Sequence, residues 1–173
     1  MRLTERYTVA VHSSNLDVDP DTTYSDSDVL GAAGLAAKRH PLAVQLMRLF
    51  AGDNHAAAEI VGTMSRMVHA RAIKTNAKLR RVQADDMAKA VLAWYRDGIC
   101  QACHGHGFEL IAGTPALSDQ QCKACGGTGK KPFDRQFKAN TELARWLLAE
   151  VERETAKAGS AAMKALAPRL NLD

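Results

Sequence analysis

Aromatic residues and cysteines are scarce in this chain. Phe, Trp and Tyr make up 5% of its 173 residues, and only four cysteines are present. So few cysteines exclude a small secreted scaffold that disulfides hold together. The chain is nevertheless 46% hydrophobic, which is enough to bury one sizeable core. We therefore expect one domain with appendages.

The chain also begins without a hydrophobic run. Its first residues, MRLTERYTVAVHSS, include charged side chains and no continuous apolar stretch. They predict neither a signal peptide nor a membrane anchor, so we expect a cytoplasmic protein with no membrane partner. In a reducing compartment, paired Cys-x-x-Cys motifs are metal ligands or redox thiols more often than structural disulfides.

Charge is distributed unevenly along the chain, although the net charge is only +4. Residues 15–28 contain five Asp and no Lys or Arg, a composition typical of a flexible acidic arm. Residues 66–81 contain six Lys or Arg and no Asp or Glu. This second stretch is the strongest basic block of the chain, and it favours a polyanionic partner.

The spacing of apolar residues predicts a mostly helical protein. From Val29 onward they recur every three or four positions, with little of the alternation that strands show. We expect Ile60, Met64 and Met67 to form the buried stripe of one helix. The predicted helices cover residues 29–38, residues 41–50, residues 56–71 with a continuation to 81 left open, a segment between Asp85 and Gly98, and residues 134–156.

Single residues predict where these helices begin and end. Asp85 and Asp86 favour a helix start, because acidic side chains are stabilising at a helix N-terminus. Gly98 suits the left-handed backbone position just after the end of that helix. Gly159 and Ser160 predict a break that is followed by a short last helix.

All four cysteines lie in two copies of one motif, C-x-x-C-x-G-x-G, at residues 100–107 and 122–129. Cysteines two apart in a tight turn can place both sulfurs on one metal, since the glycines let the backbone fold around it. The 18 residues between the two cysteine pairs match the interval expected of paired zinc knuckles. The pattern predicts a structural zinc site whose ligands are Cys100, Cys103, Cys122 and Cys125.

Other chemistry for the cysteines stays open. A redox pair needs a cysteine of low pKa at a helix N-terminus, usually after a strand, whereas glycines follow each pair here. A catalytic zinc needs an open coordination position, which four thiolates do not leave. His104 and His106 lie inside the first motif and could replace a cysteine, although exposed spacer residues are the simpler interpretation.

The fold class that follows is a helical domain with a four-cysteine module inserted between two helices. We divide the chain into an acidic, flexible arm at residues 1–28 and a helical region at residues 29–98. A zinc-knuckle insert occupies residues 99–132. C-terminal helices at residues 133–173 are expected to pack on the helical region.

Basic residues around the module and in the basic block are candidates for nucleic-acid contact, because Lys and Arg bind phosphates. A solvated helix face would explain the same residues equally well. Trp94 and Trp146 are interpreted as core residues rather than stacking platforms. The candidates are Arg71, Lys74, Lys78, Arg80, Arg81, Lys123, Lys130, Lys131, Arg135 and Lys138.

The two motifs are similar to the zinc knuckles of DnaJ-type cochaperones, which repeat C-x-x-C-x-G-x-G four times. This chain has two copies and lacks the His-Pro-Asp signature of the J-domain, since Leu42 follows His40 and Pro41. A longer part of the chain resembles the Q antitermination proteins of lambdoid bacteriophages, in particular the lambda-type branch. The residues that carry this resemblance are 1–3, 27–36, 71–78, 93–95, 100–107 and 122–129.

The resemblance to the Q family implies a specific function. Such proteins bind double-stranded DNA within a phage late promoter, engage RNA polymerase holoenzyme at a promoter-proximal pause, and make it ignore downstream terminators. The family's zinc ligands correspond to the four cysteines, and no enzymatic residue carries over. The resemblance implies a protein of the bacterial host cytoplasm that is not an enzyme and that takes Zn2+ as its cofactor.

The region after the cysteines departs from the lambda-type pattern, in which it is longer and contains a helix-turn-helix for promoter DNA. Only residues 133–173 follow the module here, and the last predicted helix offers only Lys164 and Arg169 as polar contacts to bases. Another helical pair joins residues 41–50 to residues 56 onward, but core packing explains that pair better.

Two rival functions fit the same motifs. One is a chaperone-like or protein-binding adaptor without a nucleic-acid role, whose binding to unfolded clients should be insensitive to salt. The other is a thiol oxidoreductase, which requires a reactive cysteine of low pKa. Metal-bound thiolates should resist titration by thiol reagents, so this titration separates the oxidoreductase from the zinc protein.

Overall fold

The structure, a computed structural model, is mostly helical, with a small antiparallel sheet. The four-cysteine module lies between two helices, so the predicted fold class is confirmed. The described residues are 3–12, 30–32, 34–35, 38–111, 113–114, 116–134, 137 and 140–166. The elements are α1 (Leu3–His12), α2 (Pro41–Phe50), α3 (Ala56–Lys74), α4 (Arg81–Arg96), β1 (Phe108–Leu110), β2 (Leu117–Gln121) and α5 (Thr141–Leu166).

One hydrophobic core joins helices α2 to α5. The expected stripe of α3 is present, because Ile60 and Met64 are completely buried, while Met67 packs against the core from a half-buried position. Helix α5 adds Leu147 and Val151, both completely buried. Helix α3 packs on α2, α4 and α5 and therefore lies at the centre of the helical domain.

Helix α3 ends at Lys74, so its continuation to residue 81 is not found. Asn76 takes a left-handed backbone conformation, with a φ of 52°. Its N–H donates to the Ile73 carbonyl at 3.3 Å, and the Ala77 N–H donates to the Ala72 carbonyl at 2.9 Å. This pair of bonds is a Schellman motif, which satisfies the last carbonyls of α3 and turns the chain sharply.

Helix α4 begins one turn earlier than predicted, and Gly98, just after its end, does not have the predicted conformation. It starts at Arg81, where the Gln83 side-chain oxygen accepts a bond from the Arg80 N–H at 2.9 Å, so Asp85 is not in the first turn. Gly98 does not adopt the left-handed conformation. Glycine is needed there for another reason, because a Cβ at Gly98 would lie 2.7 Å from the Trp94 carbonyl oxygen.

Helix α5 is a single helix, and the predicted break at Gly159 and Ser160 is wrong. It also begins at Thr141 rather than near Asp134. Completely buried Ala158 packs against Ala43 and Met47 of α2. This tertiary contact favours a continuous helix over the local preference of a Gly-Ser pair.

Residues 3–12, which fall within the predicted flexible arm, form helix α1 against α2. The His12 ring nitrogen Nε2 lies 3.0 Å from the Ala51 carbonyl oxygen. Residues 13–29, and with them the acidic stretch, lie outside the described part of the chain. Of the predicted helix at residues 29–38, residues 30–32 and 34–35 are helical.

Within the described ranges, every helix falls short of the combination of length and apolar character that crossing a lipid bilayer requires.

Candidate metal centre

The first cysteine motif folds into a tight turn that hydrogen bonds from its own backbone N–H groups stabilise. The Gly105 N–H donates to the Cys100 carbonyl at 3.1 Å, and the Gly107 N–H donates to the Cys103 sulfur at 3.3 Å. Gly105 and Gly107 have φ angles of 86° and 81°, a region in which side chains are strained. The glycines of the motif therefore permit the turn that aims an amide at a sulfur.

The second motif repeats the bond from its last glycine to its second cysteine at the same offset of four residues, whereas the bond to the carbonyl of its first cysteine spans four residues rather than five. The Gly126 N–H donates to the Cys122 carbonyl at 2.7 Å, and the Gly129 N–H donates to the Cys125 sulfur at 3.3 Å. Gly127 and Gly129 have φ angles of 86° and 70°. Both motifs thus form similar knuckles, and in each one the sulfur of the second cysteine accepts a hydrogen bond from a backbone N–H.

The two knuckles are joined by reciprocal backbone hydrogen bonds. The Cys100 N–H donates to the Gly129 carbonyl at 2.8 Å, and the Cys122 N–H donates to the Gly107 carbonyl at 2.8 Å. Each first cysteine therefore bonds to the last glycine of the other motif. This exchange gives the pair an approximate two-fold relationship and brings four cysteines to one place.

The glycines also allow the two knuckles to approach closely. A Cβ at Gly107 would overlap the Gly127 carbonyl, and a Cβ at Gly129 would overlap the Gly105 carbonyl. These four glycines occupy the two offsets that the motif repeats. Backbone conformation thus favours glycine at all four positions, and close packing adds a second requirement at Gly107 and Gly129.

The four sulfur atoms form one buried group. They all lie within 4.8 Å of one another, and the Cys103 and Cys125 sulfurs are 3.7 Å apart. A disulfide would need about 2.05 Å. A tetrahedral Zn2+ with Zn–S bonds of about 2.3 Å would place its sulfurs about 3.8 Å apart. Cys100, Cys103, Cys122 and Cys125 can therefore hold a metal ion.

The surroundings of the Cys125 sulfur favour its thiolate, which is the form that binds metal. Burial raises the pKa of the Cys125 thiol, but the Gly129 N–H, the neighbouring Cys103 and Cys122 thiols and the Gly127 N–H outweigh it. Together they lower that pKa from 9.0 to about 7. The N–H donors thus stabilise part of the negative charge of the Cys125 thiolate, and a bound cation would stabilise it further.

The structure favours neither a histidine ligand nor a redox-active cysteine pair. His104 and His106 are exposed, and the ligand atoms that gather among the described residues are the four sulfurs alone. Each cysteine pair is followed by a glycine turn rather than by a helix. The arrangement lacks the helix N-terminus that lowers the pKa of a redox cysteine.

A narrow neck attaches the metal module, which we define as residues 99–132, to the helical domain. Ile99 and Lys130 pair across the neck in an isolated antiparallel bridge, and the Lys131 N–H donates to the Gly98 carbonyl at 2.8 Å. Trp94 of α4 donates its indole N–H to the Lys131 carbonyl at 2.9 Å. Trp94 therefore links the module to the helix that precedes it.

Sequence patterns did not reveal this role of Trp94, because an aromatic residue near a helix end resembles any core residue. They also missed the module's hairpin, in which Phe108 pairs with Gln121 and Leu110 with Leu117. The sequence signal for it was weak, namely the apolar residues Phe108, Leu110 and Ile111 with the charged Glu109 between the first two.

The basic candidates fall into separate groups. Lys123 lies 3.5 Å from Glu109, Lys131 lies 2.9 Å from Asp97, and Lys130 lies over the Trp94 ring. Arg135 and Lys138 lie outside the described residues. The remaining five candidates are exposed residues at or near the connection between α3 and α4, namely Arg71, Lys74, Lys78, Arg80 and Arg81.

Comparison with known proteins adds no family to these observations. No protein-family model matches the chain, and no curated protein matches it either. Its function therefore has to be inferred from the cysteine group, from the surface charge and from the resemblance of its motifs.

Proposed function

We propose that the protein is a zinc-dependent transcription antitermination factor that binds double-stranded DNA in a phage late promoter. It engages bacterial RNA polymerase holoenzyme there and suppresses termination downstream. The observation that carries this proposal is the meeting of four buried cysteines in one site, from motifs whose order and spacing resemble those of the Q family. The protein acts by binding and is not an enzyme.

Zinc is the metal that we assign to the site. A set of four thiolates at tetrahedral spacing suits Zn2+ and leaves no position open for water or substrate. The module has few buried apolar side chains of its own beyond the cysteines, so the binding energy of the metal would serve as folding energy. Zinc thus acts as a structural staple.

DNA binding is supported by the surface charge. Five exposed basic residues lie within residues 71–81, at the connection between α3 and α4, and Lys and Arg that neutralise phosphates give an affinity that falls with salt. The proposed host-cell location in the bacterial cytoplasm, and the absence of a membrane partner, belong to the same proposal.

The experiment that tests the function is in vitro transcription by host RNA polymerase through a terminator. The template carries the promoter beside this gene, and reactions are run with and without the protein and a zinc chelator. We expect protein-dependent read-through that chelation abolishes. Unchanged termination by zinc-loaded protein on the cognate promoter would overturn the proposal.

A second candidate function is a protein-binding adaptor with no nucleic-acid role. The observation that favours it is the exposed apolar surface of the module's hairpin, where Phe108, Leu110, Ile111 and Leu117 are each 38–45% exposed. Apolar surface of this kind binds proteins and is little affected by salt. Salt-insensitive binding to unfolded clients, without binding to DNA, would favour the adaptor over the antiterminator.

A further inference from the structure

Five basic side chains form one surface at the connection between α3 and α4. They come from the last turn of α3, the connecting loop and the first residue of α4, and all are exposed. In the part of the chain that the structure describes, none of them lies within 4 Å of a carboxylate. This basic corner consists of Arg71, Lys74, Lys78, Arg80 and Arg81.

The basic corner is held in a fixed shape. The Schellman motif at Asn76 sets the direction of the loop. Ala77 and Leu79 are half-buried and pack on the core, while Lys78 and Arg80 alternate with them and face solvent. The backbone therefore presents its cations without needing a partner to order the loop, which lowers the entropic cost of binding.

Three acidic residues near the basic corner have partners of their own. Asp85 accepts a hydrogen bond from buried Ser65, Asp86 lies 3.8 Å from Lys89, and Glu142 lies 3.0 Å from Arg145. Asp85 keeps its negative charge, since a hydroxyl donor does not neutralise a carboxylate, but it lies more than 4 Å from every cation of the basic corner. Because Asp86 and Glu142 are paired with other residues, the corner keeps a net positive charge. A polyanion can neutralise this charge.

Arg71 is positioned by an aromatic ring. Its guanidinium carbon lies 5.4 Å from the centre of the Trp146 ring of α5. Both side chains line a cleft of about 780 Å³ together with Asn140 and Thr141. Stacking on a ring restrains the guanidinium while its N–H groups stay available for a phosphate. Arg71 thereby extends the basic corner from the loop toward α5.

The basic residues of the metal module differ from those of the basic corner in their partners and in their position. Lys123 and Lys131 form ion pairs, and Lys130 lies over Trp94. Helix α4 has 16 residues, so its two ends are about 24 Å apart. The basic corner lies at its N-terminal end and the metal module follows its C-terminal end, so the two surfaces are well separated.

We propose that double-stranded DNA contacts this protein at the basic corner, through phosphates, and that the metal module contributes no DNA contact. This inference rests on the proposed function in that it takes DNA as the partner. It divides the eight basic candidates that the structure describes into five that bind phosphates and three that support the module.

Two triple variants with the same change in charge test the proposal. The corner variant is K78Q/R80Q/R81Q and the module variant is K123Q/K130Q/K131Q. The full-length, zinc-loaded proteins are titrated against a fluorescein-labelled duplex of about 30 base pairs, from about 50 to about 200 mM KCl. Fluorescence anisotropy gives the affinity at each salt concentration.

We expect the corner variant to bind more weakly, with a salt dependence whose slope falls by about 3. The module variant should keep the wild-type slope. Equal losses in both variants, or a loss in the module variant alone, would overturn the proposal, as would binding of the wild-type protein to single-stranded RNA but not to the duplex. Thermal unfolding checks that each triple variant is folded, and the single variants K78E and K123E replace any that is not.

The same variants separate this inference from the proposed function. If the wild-type protein binds the duplex through the basic corner but gives no read-through, the antitermination function is contradicted and the DNA surface still stands. Read-through that survives in the corner variant and disappears in the module variant would overturn the DNA surface and leave the antitermination function in place.

Discussion

The sulfur atoms of Cys103 and Cys125 lie 3.7 Å apart, although 22 positions separate the two residues in the chain. Each is the second cysteine of its motif, and each accepts a hydrogen bond from the glycine four residues later. The separation is close to the edge of a tetrahedron of zinc thiolates and far from a disulfide bond. The two residues therefore occupy equivalent positions in a site that is prepared for a metal.

Replacement of either of these cysteines should remove the metal and unfold the module. We expect C103S and C125S to bind less than one metal ion per chain, because a hydroxyl is a poor substitute for a thiolate. H104A and H106A serve as controls, since both histidines are exposed and should not affect the metal content. Metal analysis by mass spectrometry measures the result, and a full complement of metal in C125S would contradict the assignment.

Two glycines with similar φ angles should respond differently to alanine. Gly107 and Gly113 have φ angles of 81° and 77°, so each alanine should cost about 1 kcal/mol of backbone strain. A Cβ at Gly107 also overlaps the Gly127 carbonyl, whereas a Cβ at Gly113 meets open space. We expect G107A to cost a further 1–3 kcal/mol or so and to release zinc more readily to a competing chelator. Similar chelator curves for G107A and G113A would exclude close packing as the reason for glycine.

The hydrogen bond between Ser65 and Asp85 should be important for the contact between α3 and α4. Ser65 is 5% exposed, and its hydroxyl donates to the half-buried carboxylate of Asp85. S65A leaves that carboxylate without its donor and should lower the free energy of unfolding by about 1–3 kcal/mol. T63A on the same helix should change it by less than about 0.5 kcal/mol. Urea denaturation provides the values, and adding D85A to S65A should cost less than the sum of the single changes.

Glu154 should make part of the stability depend on pH. The hydrogen bond with His40, whose Nδ1 lies 3.0 Å from the Glu154 carboxylate, lowers the pKa of Glu154 below its ordinary 4.5, and Lys157 adds to this effect. A carboxyl group with a lowered pKa stabilises the fold above its ordinary pKa, and this contribution disappears as the pH falls through the lowered value.

The variant E154Q should therefore be less stable than the wild type by about 0.5–1 kcal/mol at pH 6 or so, and the difference should shrink as the pH falls below 4.5. Denaturation is compared between variant and wild type at each pH, so that the loss of metal in acid, which both share, cancels. The exposed neighbour Glu152 supplies the control E152Q, which should follow the wild-type curve. A difference of constant size down to pH 3 would contradict the role of the carboxylate charge.

The cysteine group could be predicted from the sequence because its geometry is almost entirely local. Two residues between cysteines and glycines at fixed offsets determine each knuckle, and the reciprocal bonds of Cys100 and Cys122 follow once both knuckles form. Helix α2 was predicted with its exact ends for a similar reason, since Pro41 starts it and Gly52 follows it closely.

The remaining helix ends depended on information that a sequence pattern does not contain. Helix α3 stops at an Asn in the left-handed conformation, a residue that also occurs within helices. Helix α5 continues past Gly159 because Ala158 is buried against α2, and that contact is far away in sequence. The same limit applies to the basic residues, because ion pairs such as Lys131 with Asp97 join positions 34 apart.

The neck between Gly98 and Lys131 has a consequence for how metal loss spreads through the protein. The chain enters and leaves the module through two adjacent segments, and the Gly98 carbonyl accepts a hydrogen bond from the Lys131 N–H. Helices α4 and α5 pack directly on each other in the domain below. In the metal-free protein, the helical domain should therefore stay folded as one cooperative unit, while the two knuckles unfold together as a second unit. In hydrogen exchange, chelation should erase protection within the module and leave the amides of α3 as slow as before.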